Sequence, residues 1–186
     1  MRTLFSVALL ALVTLGSEVG SAQSIVTIKP SIFAGAAFPT GDNRNALNTG
    51  FTAGAGADLG ALLLPIGLRA DASYTQFGLK NNGSGSTGNS SDVSGRINAV
   101  LGIPSIVVSP YLIGGVGFYH IMTSVLAPVL NGGSLSGSSN KFGWNIGAGI
   151  DLPLIAFAGR LEARYHSVST DGGRYTYLPV TVGIRF

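Results

Sequence analysis

Cysteine is absent from the 186 residues, which excludes a disulfide framework and any thiolate metal or redox site. Charge is scarce. Only 10% of residues are Asp, Glu, Lys or Arg while 46% are hydrophobic, against roughly 25% charged in an ordinary soluble domain. A water-exposed globule is hard to build from that mixture. Long apolar runs are missing as well: the one continuous stretch, Leu4 to Leu15, falls short of the ~20 residues that a spanning helix requires. The net charge of +3 is small and scattered, so nucleic acid is not an expected partner.

The first 22 residues read as an export signal. Met1-Arg2 supplies the positive end, Leu4 to Leu15 the apolar segment, and Gly20-Ser21-Ala22 a small-residue cleavage site before Gln23. Residues 23–186 are then long enough for one domain.

Beyond the signal the apolar residues recur with a period of two, which decides strand over helix. At the C-terminus Leu178, Val180, Val182, Ile184 and Phe186 share one face, opposite Pro179, Thr181, Gly183 and Arg185. The same alternation runs through Ile28–Phe38, Phe51–Leu59, Leu68–Tyr74, Val93–Leu101, Trp144–Ile150 and Leu161–Tyr165. Ser109 to His120 is less regular, with Leu112, Val116 and Phe118 on the greasy side and Tyr111 and Tyr119 opposite. Eight strands result, each with one oily face.

The connections alternate in kind. Pro39–Gly50, Lys80–Asp92 and Thr123–Asn140 are long and rich in Gly, Ser and Asn, and Ser169–Arg174 is a shorter polar one. Compact Pro-bearing turns at Gly60–Pro65, Gly102–Ile106 and Leu152–Ala158 interleave with them. Long loops at one end and tight turns at the other are the pattern of an outer-membrane barrel. The charges agree with it. Lys29, Asp58, Arg69, Asp71, Arg96, Asp151, Arg160, Glu162, Arg164 and Arg185 all fall on the face away from the oily side chains. Asp42, Arg44, Lys80, Asp92, Lys141, Asp171 and Arg174 are expected in loops or at strand ends. A charge facing hydrocarbon costs about 2–4 kcal/mol at the midplane, and an open strand edge leaves backbone groups unsatisfied there, so the sheet has to close. The expected fold is an all-β, eight-stranded antiparallel up-and-down transmembrane β-barrel with a polar, largely filled lumen.

The segments FAGAAFPTGD (Phe33–Asp42), PYLIGGVGFY (Pro110–Tyr119), GWNIGAGIDLPL (Gly143–Leu154), LEARYHSVST (Leu161–Thr170) and the ending LPVTVGIRF resemble, in order and spacing, the eight-stranded outer-membrane beta-barrel domain family, relatives of the OmpA/OmpX-type small barrels. The resemblance implies a Gram-negative outer-membrane location, outer-membrane lipid as surroundings, and insertion by the barrel-assembly machinery. In this family that machinery reads a final strand such as Leu178, Val180, Val182, Ile184 and Phe186. It implies no particular activity, because the fold hosts several.

Inside the barrel, six bases and four acids must pair to be tolerated. Asp58 with Arg69 and Asp151 with Arg160 flank tight turns with matching parity and are expected as cross-strand pairs; Glu162 with Arg185 is expected as a third. Together with Lys29, Asp71, Arg96, Arg164 and His166 they form the predicted lumen polar network. Trp144, Tyr74, Tyr165, Phe118 and Phe157 are expected as interfacial girdle residues.

Lipid A-modifying barrel enzymes use a His and a Ser at the rim, and His166-Ser167-Val168-Ser169 superficially suggests such a pair. It departs from the deacylase His-x-Ser-Asn pattern, and Ser167 should point away from His166 because neighbours on a strand diverge. No catalytic residue, metal or cofactor is therefore expected. Two histidines without clustered carboxylates make no metal site. The leading expectation is a monomeric, non-enzymatic envelope protein with surface loops. The alternatives are a surface adhesion or binding module with an extracellular partner, a small-solute conduit, and a lipid A-modifying barrel enzyme.

Overall fold

A computed structural model describes residues 26–61, 66–80, 87–103, 105, 107–126, 134–154 and 156–186. The predicted export segment lies outside these. Eight strands form β1 (Val26–Pro39), β2 (Gly50–Ala61), β3 (Ile66–Gly78), β4 (Thr87–Gly102), β5 (Ser109–Leu126), β6 (Ser134–Pro153), β7 (Ala158–Thr170) and β8 (Gly173–Arg185). Each pairs antiparallel with its neighbours in chain order, and β8 returns to β1 to close the barrel. The backbone of Phe186 extends that seam by donating its N–H to the Pro30 carbonyl at 2.9 Å. Closure leaves the lipid-facing wall without an open margin, which is what a bilayer demands of a spanning sheet.

The oily face points outward. Ile28, Ile32, Leu68, Ile97, Leu112 and Val182 are each more than half exposed, an arrangement that water would penalise and hydrocarbon does not. Toward the loop end this wall carries aromatic pairs: Phe51 with Tyr74 at 6.0 Å, Phe118 with Phe142 at 5.7 Å and Trp144 with Tyr165 at 5.8 Å between ring centroids. Phe157 is exposed near the last tight turn, at the opposite end. These positions suit amphipathic rings at the two membrane interfaces.

The strands run further toward the loops than composition suggests. β4 begins at Thr87, β5 continues to Leu126 and β6 starts at Ser134, so much of the two Gly/Ser/Asn-rich connections is paired strand. Pairing with a neighbouring strand holds them in place there, β4 with β3 and β5 and the start of β6 with β5, and that overrides the weak strand preference of Ser, Gly and Asn. Asp92, expected in a loop, is consequently inside β4 and fully buried, and Lys141 belongs to β6. β7 and β8 are joined by the two residues Asp171–Gly172, with Gly173 at φ 132°, a conformation that a side chain would strain. The β1–β2 connection holds one turn of helix, α1 (Asn43–Ala46), and tucks Leu47 inward, where it bridges to Leu79.

Candidate functional site

Chemistry in this molecule is concentrated in the lumen, and strand register explains how it is assembled. Asp58 lies directly opposite Arg69, Asp71 opposite Arg96, and Asp151 opposite Arg160. Parity sends all six side chains inward. Asp58 Oδ1 accepts from Arg69 Nε at 2.6 Å, and Asp151 Oδ1 accepts from Arg160 Nε at 2.7 Å. Both expected hairpin pairs are therefore present.

The third expected pair is not. Arg185 sits opposite Ala158 while Glu162 sits opposite Thr181, so the two side chains lie at different heights. Arg185 instead reaches Asp151 Oδ2 at 3.0 Å. Glu162 accepts from Arg69 Nη1 at 2.6 Å, from the Tyr111 hydroxyl at 2.7 Å and from Arg164 Nε at 3.0 Å. Arg164 also donates to Asp71 Oδ2 at 3.0 Å, and Arg160 to Asp58 Oδ2 at 3.1 Å.

These contacts form a single file of alternating sign: Arg185, Asp151, Arg160, Asp58, Arg69, Glu162, Arg164, Asp71, Arg96. Every acid stands between two arginines. The links Arg69–Glu162 and Arg164–Asp71 join β3 to β7, which face each other across an eight-stranded ring. Asn98 adds a donor to Asp71 at 2.8 Å, and the Tyr111 ring lies between the guanidinium groups of Arg69 and Arg160, 5.2 and 5.3 Å from its centroid. Glycine opens the space required. A Cβ at Gly149 would collide with the Tyr111 hydroxyl, and one at Gly117 with Arg96. The two cavities between these side chains hold about 10 Å³ each, at the lower limit for one water.

Two members of the predicted network stand apart. Lys29 is exposed at the turn end and has no ion-pair partner among the described residues. His166 is buried but belongs to a second layer: Nδ1 bonds the Tyr119 hydroxyl at 2.9 Å, and the ring stacks on Tyr177 at 4.8 Å. That layer, at the loop end, also contains Ala37, Leu47, Phe77, Ile121, Val168 and Tyr175. Phe77 meets Tyr175 and Tyr177 edge-on. Asp92 accepts from the Tyr177 hydroxyl at 3.2 Å, while its second oxygen is buried without a protein partner. Ser167 lies on the opposite face of β7 from His166 and accepts from Arg174 at 3.2 Å, so the two do not meet. The other histidine, His120, faces outward and bonds Asn140 at 2.6 Å.

The aromatic layer escaped sequence reasoning because its strands project beyond the oily band, where the inward face is itself apolar. Asp71 with Arg96 escaped because a long connection separates β3 from β4 and leaves their register undetermined. A family model described as outer membrane protein beta-barrel domain matches residues 5–186. The chain belongs to that family. Its location is accordingly the Gram-negative outer membrane, with the tight turns and both strand ends of the β1–β8 seam toward the periplasm and the loops outside.

Solved structures of this family's kind share the fold. Neisserial surface protein A matches with a TM-score of 0.60 at 16% identity, covering 86% of this chain and 97% of that one. Ail, the attachment invasion locus protein of Yersinia pestis, matches at 0.51 and 21% identity, covering 85% and 98%. The outer membrane enzyme PagL matches at 0.51 and 17% identity, covering 85% and 98%. No curated protein matches the chain. At such identities the likeness speaks to the barrel and leaves the activity of each member to its own residues.

Proposed function

We propose that this outer-membrane barrel is a sealed, non-enzymatic envelope protein: a stable anchor in the lipid that carries its loops on the cell surface. The observation behind this reading is the filled lumen. Mid-lumen cavities of about 10 Å³ leave no path for a solute, and each acid of the ionic file is held by two arginines rather than lining a water column. Catalysis has no support in the residue placement, since Ser167 and His166 occupy opposite faces and the histidine is committed to Tyr119 and Tyr177. The final strand, with Leu178, Val180, Val182 and Ile184 outward and Phe186 at its end, supplies the surface that the barrel-assembly machinery would read.

Planar-bilayer recording tests the seal, and liposome swelling tests it with neutral solutes. Wild type should show no steady unit conductance and no swelling above empty vesicles; open-channel current would overturn the reading. Lipid A incubated with the purified barrel should keep its acyl chains, and any loss or transfer would establish an enzyme.

One observation favours the surface-binding alternative. Residues Ser134–Phe142 of β6 pair with β5 but have no partner on the β7 side among the described residues. A strand edge with free N–H and C=O groups accepts an added strand. Replacing residues 120–140 by an Asn-Gly turn, which would close the hairpin at the Tyr119–Lys141 pair, would remove nearly all of it. Adhesion conferred by the parent and lost in that variant would support this second reading; adhesion retained in full would remove it.

A further inference from the structure

The periplasmic end of the lumen is not filled. Below the ionic file lies an open vestibule of about 360 Å³, bordered by Lys29, Asp58, Arg69, Tyr111, Asp151, Arg160 and Arg185. That volume is within the ~300–1,000 Å³ typical of small-molecule sites. Four bases face two acids there, and the accounting of hydrogen bonds is more unequal than the charge. Both oxygens of Asp58 are taken, by Arg69 and Arg160. Both oxygens of Asp151 are taken, by Arg160 and Arg185.

Donors, by contrast, are left over. Arg69 is 3% exposed, and its Nη2 has no protein partner. Arg185 uses Nη1 on Asp151, is partly exposed, and lines the vestibule. Lys29 contributes an ammonium without an ion pair among the described residues. A buried donor without an acceptor costs free energy, and guanidinium forks match the oxygens of phosphate.

We infer that this vestibule is a binding site, open to the periplasm, for a phosphate-class oxyanion held by Arg69, Arg185 and Lys29. The group is recognised by its charge and oxygens, whether carried by free inorganic phosphate or by the headgroup of an inner-leaflet phospholipid. Tyr111 forms the floor, and the ionic file behind it blocks further passage, so the site retains the anion and does not transport it. The inference is separate from the envelope role: a sealed barrel can bind or fail to bind an anion at its periplasmic mouth.

The test uses the barrel in a neutral maltoside detergent at low ionic strength, titrated with inorganic phosphate in one arm and with dihexanoyl phosphatidylglycerol below its micelle concentration in the other. Calorimetry or phosphorus NMR reads the binding. Saturable one-to-one binding in either arm, weakened about tenfold in Lys29→Gln and unchanged in Lys80→Gln at the opposite end, supports the site and names the source. Lys29 is exposed and outside the network, so its replacement should leave the heat-dependent gel shift of the folded barrel intact. The absence of saturable binding in both arms, or binding equally strong in Lys29→Gln, overturns it.

Discussion

Between Arg185 and Arg96 the lumen is occupied by charge, and a few residues further toward the loops it is occupied by rings. Both layers fill an eight-stranded ring of the same width, but they respond to damage by different rules. In the ionic file each acid serves two arginines, so removing one partner strands charges that water cannot reach. In the aromatic layer Phe77, Tyr119, His166, Tyr175 and Tyr177 contribute mainly packing and area, which a side chain of similar volume can partly restore. The ionic layer is therefore brittle toward chemically small changes, and the aromatic layer tolerant of them except where a ring's hydroxyl serves a buried polar group, as Tyr177 serves Asp92.

The largest expected effect follows from Glu162, which holds Arg69, Arg164 and Tyr111 together. Glu162→Ala should cost about 3–5 kcal/mol of unfolding free energy, read from the urea midpoint of the folded barrel. It should still carry no current in a bilayer, because the aromatic layer lies in series on the same axis. A near-isosteric change sharpens the contrast. Glu162→Gln keeps the shape but loses the charge and should cost about 1.5–3 kcal/mol, whereas Phe77→Leu should stay below about 1.5 kcal/mol; equal costs would erase the distinction between the layers. Next comes Tyr177→Phe, which takes from Asp92 its hydroxyl donor at 3.2 Å and should cost about 1–3 kcal/mol in the same assay. The smallest effect belongs to the surface. Lys141 and Asp171 pair at 2.6 Å with the aspartate almost entirely in water, and Lys141→Ala should change stability by less than about 0.5 kcal/mol.

Legibility in the sequence followed a physical boundary. The period of two identifies which face each residue takes, so the oily wall and the inward charges were readable before any coordinates. Pairs across tight turns were readable too, because Gly60–Pro65 and Leu152–Ala158 leave little freedom in register, and Asp58–Arg69 and Asp151–Arg160 follow. What could not be read depends on how far each strand is staggered around the ring. Glu162 meets Arg69 across the lumen rather than Arg185 beside it, and no local pattern encodes that height. Asp92 was hidden differently: the run NNGSGSTGNSSD has the composition of a loop, yet its second half is held in β4 by pairing with β3 and β5. The polar-inside rule also reverses above the membrane band, where Phe77, Tyr175 and Tyr177 turn inward.

The ionic file also divides the chain in a telling way. Its links Asp58–Arg160, Arg69–Glu162 and Asp71–Arg164 each join a strand from the first four to one from the last four. The first half balances Asp58 and Asp71 with Arg69 and Arg96, whereas the second sets Asp151 and Glu162 against Arg160, Arg164 and Arg185, so a partly curled intermediate would present a bare guanidinium group to lipid tails. Full coordination of the file requires the seventh strand to come face to face with the second and third, a juxtaposition that exists only once the sheet has curled round on itself.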